Sequence, residues 1–357
     1  MGQSTHKLPI NITDIECVTE CWTYYRLIIL KTSPYYEDWL ASHYNLFATD
    51  NHRFLFGYVR LFAPEYYDAI LFRKQIYLFE LEEYNVIDTL KKELSDGNYL
   101  NMMIRPIKDK DWIHEVLIYG FNDIDKVFHT IGYENRSFKK IDYSYEHILS
   151  TLEKVKAHFR KDNQKGMNLS AWHQYPITAF RINDNYCSDN CVFDAYRKLL
   201  DELQGAPLDL NQMKAPGEYE VYTKIHKGLS CLDALSDLLH KVLNGEIDDE
   251  KAHLVIPALK KLHEHRHMMV ITMKYIQKKW HKALFPQTAD HISSYEKCYE
   301  TVGKWLNMSL KYELIGKTEM LQSILSEIPQ VAEKEFHCLN ELVHNCIDWD
   351  KFNENYI

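Results

Sequence analysis

The sequence predicts an α+β protein: a mixed first half followed by an all-α antiparallel helical half. Three observations carry this. Short apolar–polar alternations bounded by turn residues fill residues 53–141. Beyond residue 220 they give way to apolar residues three and four apart. At 357 residues, the chain is long enough to favour two domains over one.

Taken in order, Glu16 to Lys31 is predicted as a buried helix, with Asn11, Thr13 and Asp14 as candidate caps. Arg53 to Leu61, Ala69 to Phe72 and Gln75 to Leu81 read as strands. Val86 to Leu94 is a short helix, closed by the Asp96-Gly97 turn. Strands follow at Tyr99 to Arg105, Ile113 to Phe121, Val127 to Tyr133 and Ser137 to Ile141; Asn122-Asp123 turns the central hairpin. Tyr143 to Phe159 is helical, and the charged stretch Arg160 to Asn168 is the candidate linker. Gln174 to Ile182 reads as one more strand, returning to the first domain. The expected domains are therefore 1–160 and 161–357.

The second half carries three apolar stripes. They run from Tyr222 through Leu229, Leu235 and Val242, from Val255 through Leu262 and Met269 to Trp280, and from Ile292 through Tyr299 to Leu306. Each marks a helix burying one face in a bundle. Asn244-Gly245 and Pro286 separate the long helices, and Pro329 is expected to split the last pair.

Apolar residues make up 46% and charged residues 26%, as in folded soluble proteins. A net charge of −9 argues against bulk binding to nucleic acid or anionic membranes. The run Tyr24 to Lys31 is too short to span a bilayer. No secretory leader pattern opens the sequence, so the eight Cys are expected as reduced thiols in a cytoplasmic protein.

The chemistry is suggested by an early cysteine and a later histidine that opens a hairpin strand, the pattern of nucleophilic thiol catalysis. Cys17 and Cys21 are four apart in the predicted helix and share a face; either is a candidate nucleophile. His114 begins HEVLIYGFNDIDKVFHTIGYE. The bland alternatives are a core thiol and a structural imidazole.

A second candidate is His263-Glu264-His265-Arg266-His267, which fits the HExxH zinc pattern with Glu264 as base. Lys260 and Lys274 on the same face oppose a dication, and no further ligand follows in pattern. The reading adopted is a polar helix face, with no metal and no other cofactor. Cys187 and Cys191 lie at a helix start rather than in a metal site.

ECWTYYRL (20–27) and HEVLIYGFNDIDKVF (114–128) resemble the papain-like family found beside nonribosomal peptide pathways. That family includes the butirosin-type acyltransferase N-terminal domain and the closthioamide-type amide-forming enzyme, and is related to bacteriocin-processing cysteine peptidases. Residues 182–200, 217–225 and 262–276 resemble its helical half. The resemblance implies a papain-like N-terminal domain and ATP-independent acyl transfer from a carrier-protein pantetheine thioester to a small amine. It implies Cys21 as nucleophile, with Cys17 as fallback, and His114 as base. The family's orienting Asp falls where this chain has Gly132, so Glu134 or Asn135 is the expected substitute. The expected oxyanion donors are the Cys21 N–H and the Asn11 side chain. The rivals are a peptidase or thioesterase of the same fold, a zinc hydrolase at the histidine-rich helix, and a non-catalytic scaffold.

Overall fold

The computed structural model describes residues 4–43, 45–49, 54–56, 70–76, 81–82, 84–105, 113–134, 137–164, 177–205, 208–209, 224–247 and 253–356. The fold is mixed α and β, and its sheets are antiparallel. It forms two compact units: Met1–Pro34 with Tyr67–Tyr186, and Tyr35–Tyr66 with Cys187–Ile357. This division differs from the expected break after residue 160. Residues 35–66 group with the C-terminal helices, and the strand near 180 groups with the first unit.

In the first unit, β1 (Thr5–Lys7), β4 (Leu71–Ile76), β5 (Tyr99–Ile104), β6 (His114–Asn122), β7 (Val127–Glu134), β8 (Ser137–Ser144) and β9 (Ile177–Ile182) build one sheet. Its order is β4-β9-β5-β6-β7-β8, with β1 paired to the end of β6. The alternation of β5 and β6 sets Leu100, Met102, Val116 and Ile118 on one face. They pack with Leu90 and Leu94 of α3 (Val86–Ser95) and Ile148 and Leu152 of α4 (Tyr145–Gln164). Gly97 ends α3 at φ +85°, the left-handed turn its sequence predicts.

The first helix is shorter than expected. α1 spans Cys21–Leu30 rather than residues 16–31. Asp14 adopts a positive φ and Glu20 is extended, so neither Asp14 nor Thr13 caps it. Cys17 consequently lies outside the helix, fully buried, and does not share a helical face with Cys21.

The second unit contains α2 (Tyr36–His43), β2 (Leu46–Thr49), β3 (Phe54–Phe56), α5 (Cys191–Gln204), β10 (Leu208–Asp209) and β11 (Lys224–Lys227). It continues with α6 (Ser230–Leu243), α7 (Val255–Lys279), α8 (Thr288–Ile315), α9 (Glu319–His344) and α10 (Trp349–Tyr356). It is not all-α: β10-β11-β2-β3 form a small sheet. The stripe read as starting at Tyr222 includes Ile225, which lies in β11; α6 begins only after Gly228, at φ +58°. A side chain at Gly228 would meet the Glu202 carbonyl oxygen at 2.3 Å, so the turn needs glycine. Pro329 lies inside α9 and does not divide it. Burial of Leu321, Ile324, Ile328, Val331 and Leu339 holds that helix through the lost hydrogen bond.

Among the described residues, no helix is long and apolar enough to cross a membrane.

Candidate active site

Cys21 is the first residue of α1, and His114 the first of β6. Their side chains meet across 93 residues of sequence, with Sγ 3.2 Å from Nε2. Both residues are half-buried. The His114 Nδ1–H donates to the Glu115 carbonyl oxygen at 2.9 Å. That bond selects the tautomer with a bare Nε2, so the thiol donates to the imidazole.

The same carbonyl accepts a second bond, from the Tyr25 hydroxyl at 2.8 Å. Tyr25 lies four residues after Cys21 and so on its face of α1. The His114 ring also stacks on Tyr133, centroids 6.1 Å apart at 25°. Tyr133 meets Phe138 edge-on at 5.0 Å, and Phe138 meets Tyr25 edge-on at 5.7 Å.

The electrostatics favour a neutral pair at rest. Burial pushes the Cys21 thiol up to about 12, and the Glu115 carboxylate adds to this. The thiol's own main-chain N–H, at the positive end of α1, works in the opposite direction. Burial also lowers the His114 imidazole. The Glu115 carboxylate accepts from Asn101 Nδ2 at 3.2 Å. Desolvation raises its pKa, while the Arg26 charge and the Asn101 bond lower it. Arg26 sits over the Phe180 ring at 4.5 Å.

Of the other expected site residues, Asn11 falls elsewhere. The main-chain N–H of Asn11 donates to the Ile28 carbonyl oxygen, seven residues beyond Cys21 and about 10 Å along the helix axis. Its Oδ1 accepts from the Thr13 N–H. Asn11 is therefore not brought to the thiol. Glu134 pairs with Lys139 at 3.2 Å. Asn135 lies outside the described residues. At Gly132 a Cβ would lie 3.0 Å from Ile141 Cδ1 and 3.4 Å from Val116 Cγ1. A carboxylate at that position would point into the apolar core rather than at His114.

Among the described residues, the histidine-rich helix assembles no ligand set. His263 and His267 both stack on Tyr299, at 4.4 and 5.4 Å. Among the described residues, no group of three or more His, Cys, Asp or Glu side chains is arranged to hold a metal. Between the two rings, His265 and Arg266 turn inward and are fully buried. Arg266 donates to both Glu335 oxygens at 2.9 and 2.8 Å, and to Glu202 at 2.9 Å and His265 Nδ1 at 2.8 Å. Cys187 is exposed and Cys191 buried, both as reduced cysteines.

Sequence reasoning missed Tyr25, Tyr133 and the Glu115 carbonyl. A signal existed for Tyr25, one helical turn from Cys21. None existed for the carbonyl, which every residue carries.

No family model matches the chain, and a search of curated proteins finds no significant match.

Proposed function

We propose that this protein is a cysteine-dependent acyltransferase that moves an acyl group from a carrier-protein thioester to an amine. The observation that carries the reading is the 3.2 Å approach of Cys21 Sγ to a His114 Nε2 whose partner nitrogen is already committed as a donor. The resemblance of residues 20–27 and 114–128 to papain-like acyltransferases supplies the substrate class.

The chemistry follows from a neutral pair. As Cys21 Sγ attacks the thioester carbonyl, its proton passes to His114 Nε2. The carbon–sulfur bond to pantetheine breaks, and the departing sulfur takes that proton. This leaves Cys21 acylated and the pantetheine thiol released. An amine then attacks the acyl-enzyme carbonyl and gives its proton to Nε2. Collapse forms the amide and returns the proton to Cys21. The Cys21 N–H, in the first turn where helical donors lack an internal acceptor, is the proposed oxyanion donor. The Glu115 carbonyl takes the place of a side-chain third member by holding Nδ1–H and stabilising the transient imidazolium.

The test is mass spectrometry of the protein after incubation with an acyl-pantetheine thioester and a panel of primary amines. Wild type is expected to acquire one acyl group on Cys21 and release it as an amide; Cys21→Ala is expected to show neither. Turnover by Cys21→Ala would overturn the assignment. Free acid as the sole product would mean a hydrolase.

A further inference from the structure

We infer that Tyr25 is the positioning residue of this site, doing through a main-chain carbonyl what a side-chain carboxylate does in a catalytic triad. This rests on the Cys21–His114 reading above. The hydrogen bonds close a ring between one helix and one strand. Cys21 Sγ meets His114 Nε2 at 3.2 Å, His114 Nδ1–H donates to Glu115 O at 2.9 Å, and Tyr25 O–H donates to that oxygen at 2.8 Å. Cys21 and Tyr25, one turn apart, complete the ring through α1.

Two consequences follow from this closure. Both lone-pair directions of the Glu115 oxygen are used, so the carbonyl cannot swing without breaking a bond. The spacing of α1 from β6 is pinned one helical turn away from the reacting atoms, which limits how far Sγ can move from Nε2.

A second leg holds the same histidine. Tyr25 is only 1% exposed and packs edge-on against Phe138. Phe138 packs on Tyr133, and Tyr133 covers the His114 ring. Tyr25 is thus the residue at which the hydrogen-bonded and aromatic routes to His114 converge. Its hydroxyl acts on the imidazole's tautomer and orientation. Nothing requires it to touch substrate.

Tyr25→Phe keeps the ring and removes only the hydroxyl. The first readout is the pair of ¹⁵N shifts of the His114 ring in labelled protein near neutral pH. The second is the rate of Cys21 alkylation by iodoacetamide against pH, with His114→Ala as reference. Wild type is expected to show a protonated Nδ1 and a bare Nε2. In Tyr25→Phe the two nitrogens are expected to move toward a common averaged shift. The His114-dependent part of alkylation is expected to fall about fivefold, the scale of one neutral hydrogen bond. His129, held by Asp142 at 2.8 Å in the same sheet, reports in the same spectrum that the unit is folded. If Tyr25→Phe does not fold, the hydroxyl proton is followed in wild type: bonded to the Glu115 oxygen it is expected to be shifted downfield and slow to exchange, and fast exchange with water overturns the inference.

An unchanged tautomer signature in a folded Tyr25→Phe overturns the inference, whatever the alkylation rate does. A changed signature with equal alkylation of wild type and His114→Ala leaves Tyr25 as the positioner of an imidazole that activates no thiol. That outcome overturns the acyltransfer reading alone.

Discussion

Two clusters of titratable groups share this molecule and are built on opposite plans. At Cys21–His114 two neutral groups meet, half-buried, with one carbonyl fixing the imidazole. At Arg266 a full positive charge lies at 0% exposure, its donors committed to Glu335, Glu202 and His265. The second cluster carries more charge, and its sequence advertises more chemistry. Its groups are locked to one another. The first leaves one proton with a clear place to go and lies within reach of solvent. On the proposed reading, reactivity follows the mobile proton rather than the density of charge.

The largest expected effect is at the charged cluster. Arg266→Met would strand the buried Glu335 and Glu202 carboxylates and is expected to cost ~3–5 kcal/mol. Urea unfolding followed by tryptophan fluorescence measures this, and a loss within experimental error would show the network to be replaceable.

The neutral pair predicts a smaller effect of opposite sign. Glu115→Gln removes a negative charge that holds the Cys21 thiol up, so the thiol becomes more acidic and its alkylation at pH 8 accelerates. Lowering the thiol pKa by one would raise the thiolate fraction, and with it the rate, about tenfold. A slower or unchanged rate would mean that the carboxylate does not act on the thiol.

A third experiment titrates the charged cluster, where the Glu202 carboxylate acts on the buried Lys198 amine. Burial lowers Lys198 from its ordinary 10.5 to about 7, so the unfolded chain binds more protons between those values and stability rises with pH there. Burial raises Glu202 from 4.5 to about 7, so the folded chain binds more protons in that interval and stability falls as pH rises through it. Unfolding free energy is therefore expected to pass through a minimum near pH 7. Lys198→Met should remove the alkaline rise and keep the acid limb. A monotonic wild-type profile would contradict this.

The smallest effect is expected at His263. His263→Phe keeps the stack on Tyr299 and should change stability by less than ~1 kcal/mol. Zinc should leave the wild-type Tm unmoved; a zinc-dependent rise lost in the variant would reveal a ligand set.

How much of this was legible depends on where each constraint is written. The hairpin 114–134 was readable because alternation and the Asn122-Asp123 turn are local signals. The start of α1 was not, since Glu20 precedes it with extended backbone and its carboxylate accepts from the Thr23 hydroxyl rather than capping a main-chain N–H. Without that boundary, Cys17 and Cys21 looked equivalent. At the histidine-rich helix the spacing was right and the facing was wrong: the pattern selects His263 and His267, while the core claims His265 and Arg266. A buried arginine becomes intelligible only once Glu335, 69 residues on, is known to face it. The grouping of residues 35–66 with the second unit also leaves no local trace.

That grouping has a consequence for biosynthesis. Tyr275 donates to Asp38 Oδ1 and Thr272 to the Ala41 carbonyl, across 237 and 231 residues. On the ribosome, α2 therefore emerges long before the α7 residues that hold it, a wait of roughly 10–45 s at ~5–20 residues/s. The first unit cannot close its sheet until β9 has been made, with the 35–66 segment already looped out of its middle. Trp39 and Leu40, both core residues in the folded protein, stay open to chaperones for at least that wait.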